Sequence, residues 1–243
     1  MVAFIGSGSF LVEVMSPTYV PYGCGVCAPE GWLNFDASPA LRARSVPVVG
    51  RLARRLVAFP AQARYGDILQ GLPVPDKSCD AVYCSHVLEH LSLDDCRRVL
   101  ANAFRILKPG GRFRLVMPDL RWYVDQYLAD GTPDAVLRLM RETLLGEPSW
   151  PRGIMAVMRE WIGNSRHRWM WDYPAMEHEL SAAGFRDVRR AVIGDSGDEH
   201  FNAVEEAARW EGGLGIDCLR PLEGNGASAS GKSLAGSCRL LRF

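Results

Sequence analysis

Two short apolar runs, separated by a helical pattern, dominate the middle of the chain. The first is Ala81-Val82-Tyr83-Cys84, and an uninterrupted apolar run of that length is typical of a strand buried on both faces of a parallel sheet. The second extends from Phe113 to Met117. Between them, apolar residues recur at helical spacing, at Cys96, Val99, Leu100, Ala103, Phe104 and Leu107. The pattern predicts strand, helix and strand, a βαβ unit whose crossover is almost always right-handed.

Both ends of the predicted helix carry recognisable signals. Ser92 is a candidate N-cap, and Asp94 and Asp95 fall in the first turn, where the helix dipole favours negative charge. The run Leu107-Lys108-Pro109-Gly110-Gly111 follows and predicts a turn. We therefore expect a core helix over residues 92–107 that takes no part in chemistry.

Polar side chains follow the first apolar run where the predicted strand ends, at Ser85, His86, Glu89 and His90. In an open α/β sheet, ligands bind just outside the carboxyl ends of the strands. One interpretation makes His86 or His90 a general base, since unperturbed imidazole titrates near neutral pH. Another is that Glu89 and His90 only cap the following helix and brace the strand.

A second candidate site precedes this unit. Residues 19–22 predict a strand, Gly23-Cys24-Gly25 follows, and residues 32–35 predict the next strand, which ends at Asp36. Glycine allows close approach of a ligand to the backbone, and a carboxylate at this place can accept both ribose hydroxyls of a nucleoside. Such a loop and its acid are usually about 20 residues apart. Gly25 and Asp36 lie closer together than that, so no full helix fits between them. A simple glycine turn before an edge strand is the alternative.

Composition narrows the functional classes. The 243 residues include 28 basic and 28 acidic side chains, so no net charge favours nucleic acid or an anionic membrane. No apolar run reaches the roughly 18–20 residues of a membrane span, and the N-terminus lacks the early Lys or Arg of a signal peptide. Seven scattered cysteines argue against a disulfide framework and suit a reducing compartment. We expect a cytoplasmic protein without a nucleic-acid or membrane partner.

The central segment 79–90, with its helix and the Leu107–Gly111 turn, resembles the second half of a class I S-adenosylmethionine-dependent methyltransferase domain. It is most similar to the type 11 group of small-molecule methyltransferases. The resemblance covers residues 20–120 well and 165–220 loosely. It implies S-adenosylmethionine as the cofactor, with contacts from Gly23, Cys24 and Gly25 to its methionine end, Asp36 to its ribose, Asp67 to its adenine amino group, Ile68 to the base, and Ser85 and His86 lining the same site. Asp67 could instead cap a turn.

The resemblance also implies the fold. We expect one α/β domain with a Rossmann-like, mostly parallel, seven-stranded sheet, helices on both faces, and an antiparallel edge hairpin near residues 188–193 and 214–219. A helical insertion, 119–172, follows the fifth strand within a methyltransferase domain of residues 19–221. Residues 1–18 form a loose leader, and the stretch 222–243, rich in Gly, Ser and Ala, is expected to be disordered.

The implied activity is transfer of a methyl group to an oxygen or nitrogen of a small-molecule acceptor, which leaves S-adenosylhomocysteine as product. In-line displacement at a sulfonium needs no acid, so positioning can supply much of the rate. Some related O-methyltransferases bind a divalent cation through a pair like Glu89 and His90. A metal bound by Glu89 and His90 is therefore a third interpretation of these residues, although we assign no metal site. Cys24 and Cys27 have CxxC spacing, but the absence of a second ligand pair argues against zinc there.

The predicted insertion is rich in Trp and Arg. Trp150, Arg166 and Trp169 are candidate substrate-binding residues of a lid. The arginines favour an anionic acceptor, such as a phosphorylated or carboxylated metabolite. The insertion could instead pack only against its own domain.

Three other functions stay open. Pro21 and the short glycine loop are compatible with an inactive methyltransferase-fold protein that acts as a binding or scaffold subunit. A nicotinamide-dependent oxidoreductase is disfavoured, because the loop lacks a third glycine and the chain lacks the expected Tyr-x-x-x-Lys pair. Nucleic-acid modification is disfavoured by the absence of a basic stripe.

Overall fold

The computed structural model describes residues 18–23, 25, 27–38, 41–42, 59–146 and 166–223. The strands are β1 (Tyr19–Tyr22), β2 (Phe35–Asp36), β3 (Arg64–Tyr65), β4 (Cys79–Ser85), β5 (Leu107–Pro118), β6 (Arg186–Ala191) and β7 (Gly213–Leu219). The α-helices are α1 (Leu93–Ile106), α2 (Leu120–Ala129), α3 (Ala135–Glu142), α4 (Tyr173–Ala182) and α5 (Ala207–Trp210). Short 3-10 helices span Leu88–His90 and Glu199–Ala203.

The strands form one seven-stranded sheet in the order β3-β2-β1-β4-β5-β7-β6. Strands β1 to β5 pair in parallel with their neighbours, whereas β7 is antiparallel to both β5 and β6. The predicted α/β sheet with antiparallel edge strands is therefore confirmed. The strand order reverses between β1 and β4, and ligands of open α/β sheets bind at the carboxyl ends of the strands at such a reversal.

The core lies where α1 packs on the sheet. The apolar face of α1 is fully buried, and strand β4 is buried along nearly its whole length. Complete burial of a Val, Leu or Ile side chain contributes roughly 1.5–3 kcal/mol, so this one face supplies much of the stability. The Ser92 hydroxyl accepts a hydrogen bond from the Asp95 amide at 3.2 Å, which confirms the predicted cap.

Two strands differ from their predicted bounds. Strand β2 is shorter, since Trp32 forms only an isolated bridge with Tyr19. Strand β5 is longer and begins at Leu107, but its register against β4 shifts between Leu107 and Arg112, and Gly110 has a positive φ of +79°. The predicted turn over residues 107–111 therefore lies inside the strand as an irregular stretch. The Gly110 amide donates to the Arg220 carbonyl, and the Arg220 amide donates to the Gly111 carbonyl. Arg220, directly after β7, thus holds the two glycines in place through the backbone.

Two helices, α2 and α3, follow β5 where the helical insertion is expected. The Asp119 carboxylate caps α2 by accepting from the Arg121 amide at 2.9 Å. Within the described ranges, no helix is both long and apolar enough to cross a bilayer. The leader to residue 17, the stretch 147–165 of the insertion and the tail from residue 224 lie outside the described residues, so the expectations for them stay predictions.

Candidate functional site

The glycine loop and Asp36 meet at the carboxyl ends of β1 and β2. Gly23 and Gly25 both have positive φ, of +66° and +53°. The Gly25 amide donates to Asp36 Oδ2 at 3.0 Å, and the Ser38 amide donates to Asp36 Oδ1 at 2.7 Å. The structure therefore brings together the predicted methionine-end and ribose contacts. Cys24 lies outside the described residues.

Asp67 and Ile68 follow β3 in a tight turn. The Gly66 amide donates to the Asp36 carbonyl at 3.1 Å, so this turn lies beside the end of β2. The Asp67 carboxylate accepts from the Leu69 amide and from Gln70 Nε2, each at 2.9 Å. The Ile68 side chain is only 6% exposed and packs in the core. In this structure Asp67 caps the turn, and Ile68 does not face an open site.

Ser85 and His86 end β4, and His86 has a positive φ of +53°. A non-glycine residue in this region is uncommon and often marks a functional site. Its ring Nε2 lies 2.9 Å from the Arg209 carbonyl, and its Nδ1 lies 3.2 Å from Glu89 Oε1. Burial lowers the pKa of His86, but the Glu89 carboxylate and the Arg209 carbonyl outweigh burial and leave that pKa raised. A ring whose two nitrogens both donate N–H groups to oxygen acceptors has no free lone pair with which to take up another proton.

Arg209 is a site residue that the sequence analysis missed. Its Nη1 donates to Ser85 Oγ at 3.4 Å. Together with Gly23 and Glu206, these two residues line a narrow cavity at the ends of β1 and β4. No local pattern relates α5 to strand β4, because only the tertiary fold brings the two elements together.

The second half of the site joins the 3-10 helix after β4 to residues 166–169. The Arg168 and Trp169 amides donate to the Glu89 carbonyl at 2.7 and 3.2 Å. His90 Nδ1 lies 2.9 Å from the Arg166 carbonyl. His167, also missed as a site residue, places its ring centroid 5.0 Å from that of His90, and burial lowers the pKa of His167.

The structure describes two of the three predicted substrate-binding residues. Arg166 and Trp169 lie beside Glu89 and His90 through the backbone contacts of their segment, and the Trp169 side chain is 41% exposed. Trp150 lies outside the described residues. The structure thus places the segment that carries two of the three candidates next to the polar end of β4.

A cavity of about 380 Å³ lies between α2 and α3. Its walls include Trp122, Tyr123, Tyr127 and Glu142. Burial, followed by the negative charges of Glu142 and Glu89, raises the pKa of Tyr123. This volume falls in the range of small-molecule sites, about 300–1,000 Å³. The cavity can hold a small ligand between aromatic faces and a carboxylate.

In the comparison with known families, residues 23–115 match the family described as "Methyltransferase domain". Among curated proteins, an uncharacterised 37.1 kDa protein from a Streptomyces fradiae transposon is 36% identical over 102 residues. The match covers 40% of this chain and 29% of that protein, so the chain spans less than a third of this relative.

Similar solved structures share little sequence with this chain. A SAM-dependent methyltransferase from Thermotoga maritima is 16% identical, with a TM-score of 0.46 and coverage of 86% of this chain and 84% of that one. Haemonchus contortus phosphoethanolamine N-methyltransferase 2, solved with phosphomonomethylethanolamine and S-adenosylhomocysteine, is 14% identical, with a TM-score of 0.44 and coverage of 85% and 49%. Likeness at this level says nothing about the acceptor.

Proposed function

We propose that the protein transfers the methyl group of S-adenosylmethionine to an oxygen or nitrogen of a small-molecule acceptor, a proposal supported by the match of residues 23–115 to the methyltransferase domain family. One observation carries the proposal. Gly23, Gly25 and Asp36 meet at the ends of β1 and β2, beside Ser85 and His86 at the end of β4. This is the edge where the strand order reverses and where such a sheet binds its ligand.

The Asp36 carboxylate has the capacity to hold the ribose. Each of its oxygens accepts one backbone amide, from Gly25 or from Ser38. A carboxylate oxygen has two lone pairs, so each retains one for a ribose hydroxyl. Gly23 and Gly25 carry no side chain and adopt positive φ, so the backbone of the loop can approach the methionine end closely.

The reaction is a single in-line displacement. A lone pair of the acceptor attacks the methyl carbon, and the electrons of the carbon–sulfur bond pass to sulfur, which gives S-adenosylhomocysteine. The acceptor then loses a proton. We propose His86 and His90 as the candidate proton acceptors, and His90 is the better placed, because both ring nitrogens of His86 are engaged by Glu89 and Arg209.

Two features bear on the acceptor. The exposed Arg166 and Arg168 beside His90 support an anionic acceptor, and Trp150 and Trp169 would add apolar walls. Replacing both arginines with Ala should raise the acceptor KM while S-adenosylhomocysteine affinity stays constant. An unchanged KM would remove the proposed anion preference and favour an acceptor held in the aromatic cavity between α2 and α3.

The proposal is tested by calorimetric titration with S-adenosylhomocysteine. The wild type should bind it with micromolar affinity, and Asp36→Ala should weaken binding at least about tenfold, the factor for about 1.4 kcal/mol. Asp94→Ala is the matched control, since it removes an exposed carboxylate from α1. Lack of binding by the wild type at millimolar ligand would contradict the proposal.

One observation favours a second function. The carboxylates of Asp36 and Asp67 are both already engaged by the protein's own amides. In a catalytically inactive scaffold or binding subunit of the same fold, these carboxylates would bind only groups of the protein itself. The same titration separates the two functions, because a scaffold of this kind would leave S-adenosylhomocysteine unbound.

A further inference from the structure

Three of the chain's five histidines surround one buried carboxylate, that of Glu89. We propose that Glu89, His90 and His167 form a binding site for a divalent transition-metal ion. One ligand atom from each residue lies within 4.8 Å of the other two. The site lies directly after β4, and the proposal differs from the sequence-based expectation of no metal site.

The Glu89 carboxylate is the first argument. The residue is 1% exposed, and its Oε2 has no hydrogen-bond partner among the described residues. Burial of an unpaired carboxylate is strongly unfavourable. His86 lies 3.2 Å from Oε1 but leaves Oε2 unserved. A bound cation would supply the interaction that Glu89 Oε2 lacks among the described residues.

The two ring nitrogens are the second argument. His90 Nδ1 lies 2.9 Å from the Arg166 carbonyl, which can only accept, so Nδ1 carries the proton. The lone pair is then on Nε2, which lies 4.0 Å from Glu89 Oε1. Metal-bound histidines commonly donate their other N–H to a carbonyl in this way. His167 Nδ1 is likewise buried and has no hydrogen-bond partner among the described residues.

The backbone fixes the three residues relative to one another. Glu89 and His90 share a 3-10 helix. The amides of Arg168 and Trp169, which follow His167, donate to the Glu89 carbonyl. These contacts hold the segment that carries the third ligand against the first two. In a tetrahedral zinc site with bonds of about 2.0–2.1 Å, the ligand atoms lie closer to one another than the 4.8 Å seen here. The three ligand atoms would therefore approach one another by at most about 1.5 Å on binding.

The donor set indicates the class of ion. Two imidazole nitrogens and one carboxylate oxygen suit Zn²⁺, Co²⁺, Fe²⁺ or Ni²⁺, whereas Mg²⁺ and Ca²⁺ prefer oxygen ligands alone. Three protein ligands leave positions for water or for a ligand oxygen. Binding of the ion is independent of the proposed methyl transfer. Only its role rests on that function, namely to lower the pKa of an acceptor hydroxyl, and His90 would then be a ligand rather than the base.

The test is a titration of metal-free, tag-free protein with Co²⁺, followed by visible absorption and equilibrium dialysis. We expect one equivalent of Co²⁺, with ligand-field bands of nitrogen and oxygen coordination. His167→Ala, His90→Ala and Glu89→Gln should each weaken binding at least tenfold. The matched control is His178→Ala, on the exposed face of α4, which should bind as the wild type does.

Three results would contradict the proposed metal site. They are the absence of saturable Co²⁺ binding by the wild type, equal binding by His167→Ala, and a thiolate-to-cobalt charge-transfer band that Cys27→Ser abolishes. If Glu89→Gln fails to fold, the half-buried His167 decides the question, with far-UV circular dichroism as the check on folding. S-adenosylhomocysteine titration of the same samples separates the proposals, since lost cofactor binding with intact Co²⁺ binding contradicts only methyl transfer.

Discussion

Replacement of Gly23 by Ala tests whether the loop after β1 needs a glycine. The φ of Gly23 is +66°, a region that costs other residues about 1–2 kcal/mol. An added Cβ would lie under 3.0 Å from Val87 Cγ2 and 3.7 Å from Val87 Cβ. Val87 is β-branched and stiff at χ1, so overpacking adds about 1–3 kcal/mol. The free energy of unfolding should fall by about 2–5 kcal/mol.

Gly25 supplies the matched control. Its φ is +53°, but an added Cβ meets no described atom within 4 Å. Gly25→Ala should therefore show only the backbone part, about 1–2 kcal/mol. The smaller entropy of the unfolded Ala variant affects both substitutions equally, so the difference between them isolates the clash.

Urea denaturation followed by circular dichroism measures each variant. Combining Gly23→Ala with Val87→Ala should show a favourable coupling of about 1–3 kcal/mol, because the smaller side chain removes the clash. The reasoning is refuted if Gly23→Ala costs no more than Gly25→Ala, or if the two substitutions at positions 23 and 87 are additive.

Three further substitutions test other contacts. Ser92→Ala should cost about 1 kcal/mol in urea denaturation, because it removes the cap of α1; an unchanged midpoint would contradict this. Arg114→Met should cost about 3–5 kcal/mol, since it leaves the buried Glu205 carboxylate without its cation, and a neutral result would mean that this ion pair is dispensable. Arg97 lowers the pKa of Glu179 by hydrogen bonding, so the pair's contribution is present above the unfolded pKa of about 4.3 and is lost as pH falls through the lower folded pKa. Arg97→Met should therefore destabilise more at about pH 7 than at about pH 3, and equal costs would oppose the pairing.

Local patterns were enough to predict the elements around the core. The apolar spacing and the N-cap of α1 act within one helix, so the sequence alone predicts its bounds to about a residue. The turn predicted over residues 107–111 lies instead inside β5, as an irregular stretch with Gly110 at positive φ. Its incorporation into the strand depends on hydrogen bonds with Arg220, more than a hundred residues away, which no local pattern reveals.

The residues of the candidate site likewise fall into two groups, those that a local pattern predicts and those that only the tertiary fold brings together. Gly23, Gly25 and Asp36 could be predicted because their order along the chain reflects the end of one strand and the end of the next. Ile68 was expected to face the base but packs in the core, where it contacts side chains from other elements. His167 joins Glu89 only through the backbone pairing of residues 168–169, so its place depends on tertiary structure alone.

Hydrogen–deuterium exchange with and without S-adenosylhomocysteine tests the central claim most directly. The account predicts slower exchange on binding in peptides that cover residues 19–38, 64–71 and 79–90, where the strand ends meet. Exchange in α4 should not change. Protection confined to the cavity between α2 and α3, or no protection at saturating ligand, would contradict a cofactor site at the carboxyl edge of the sheet.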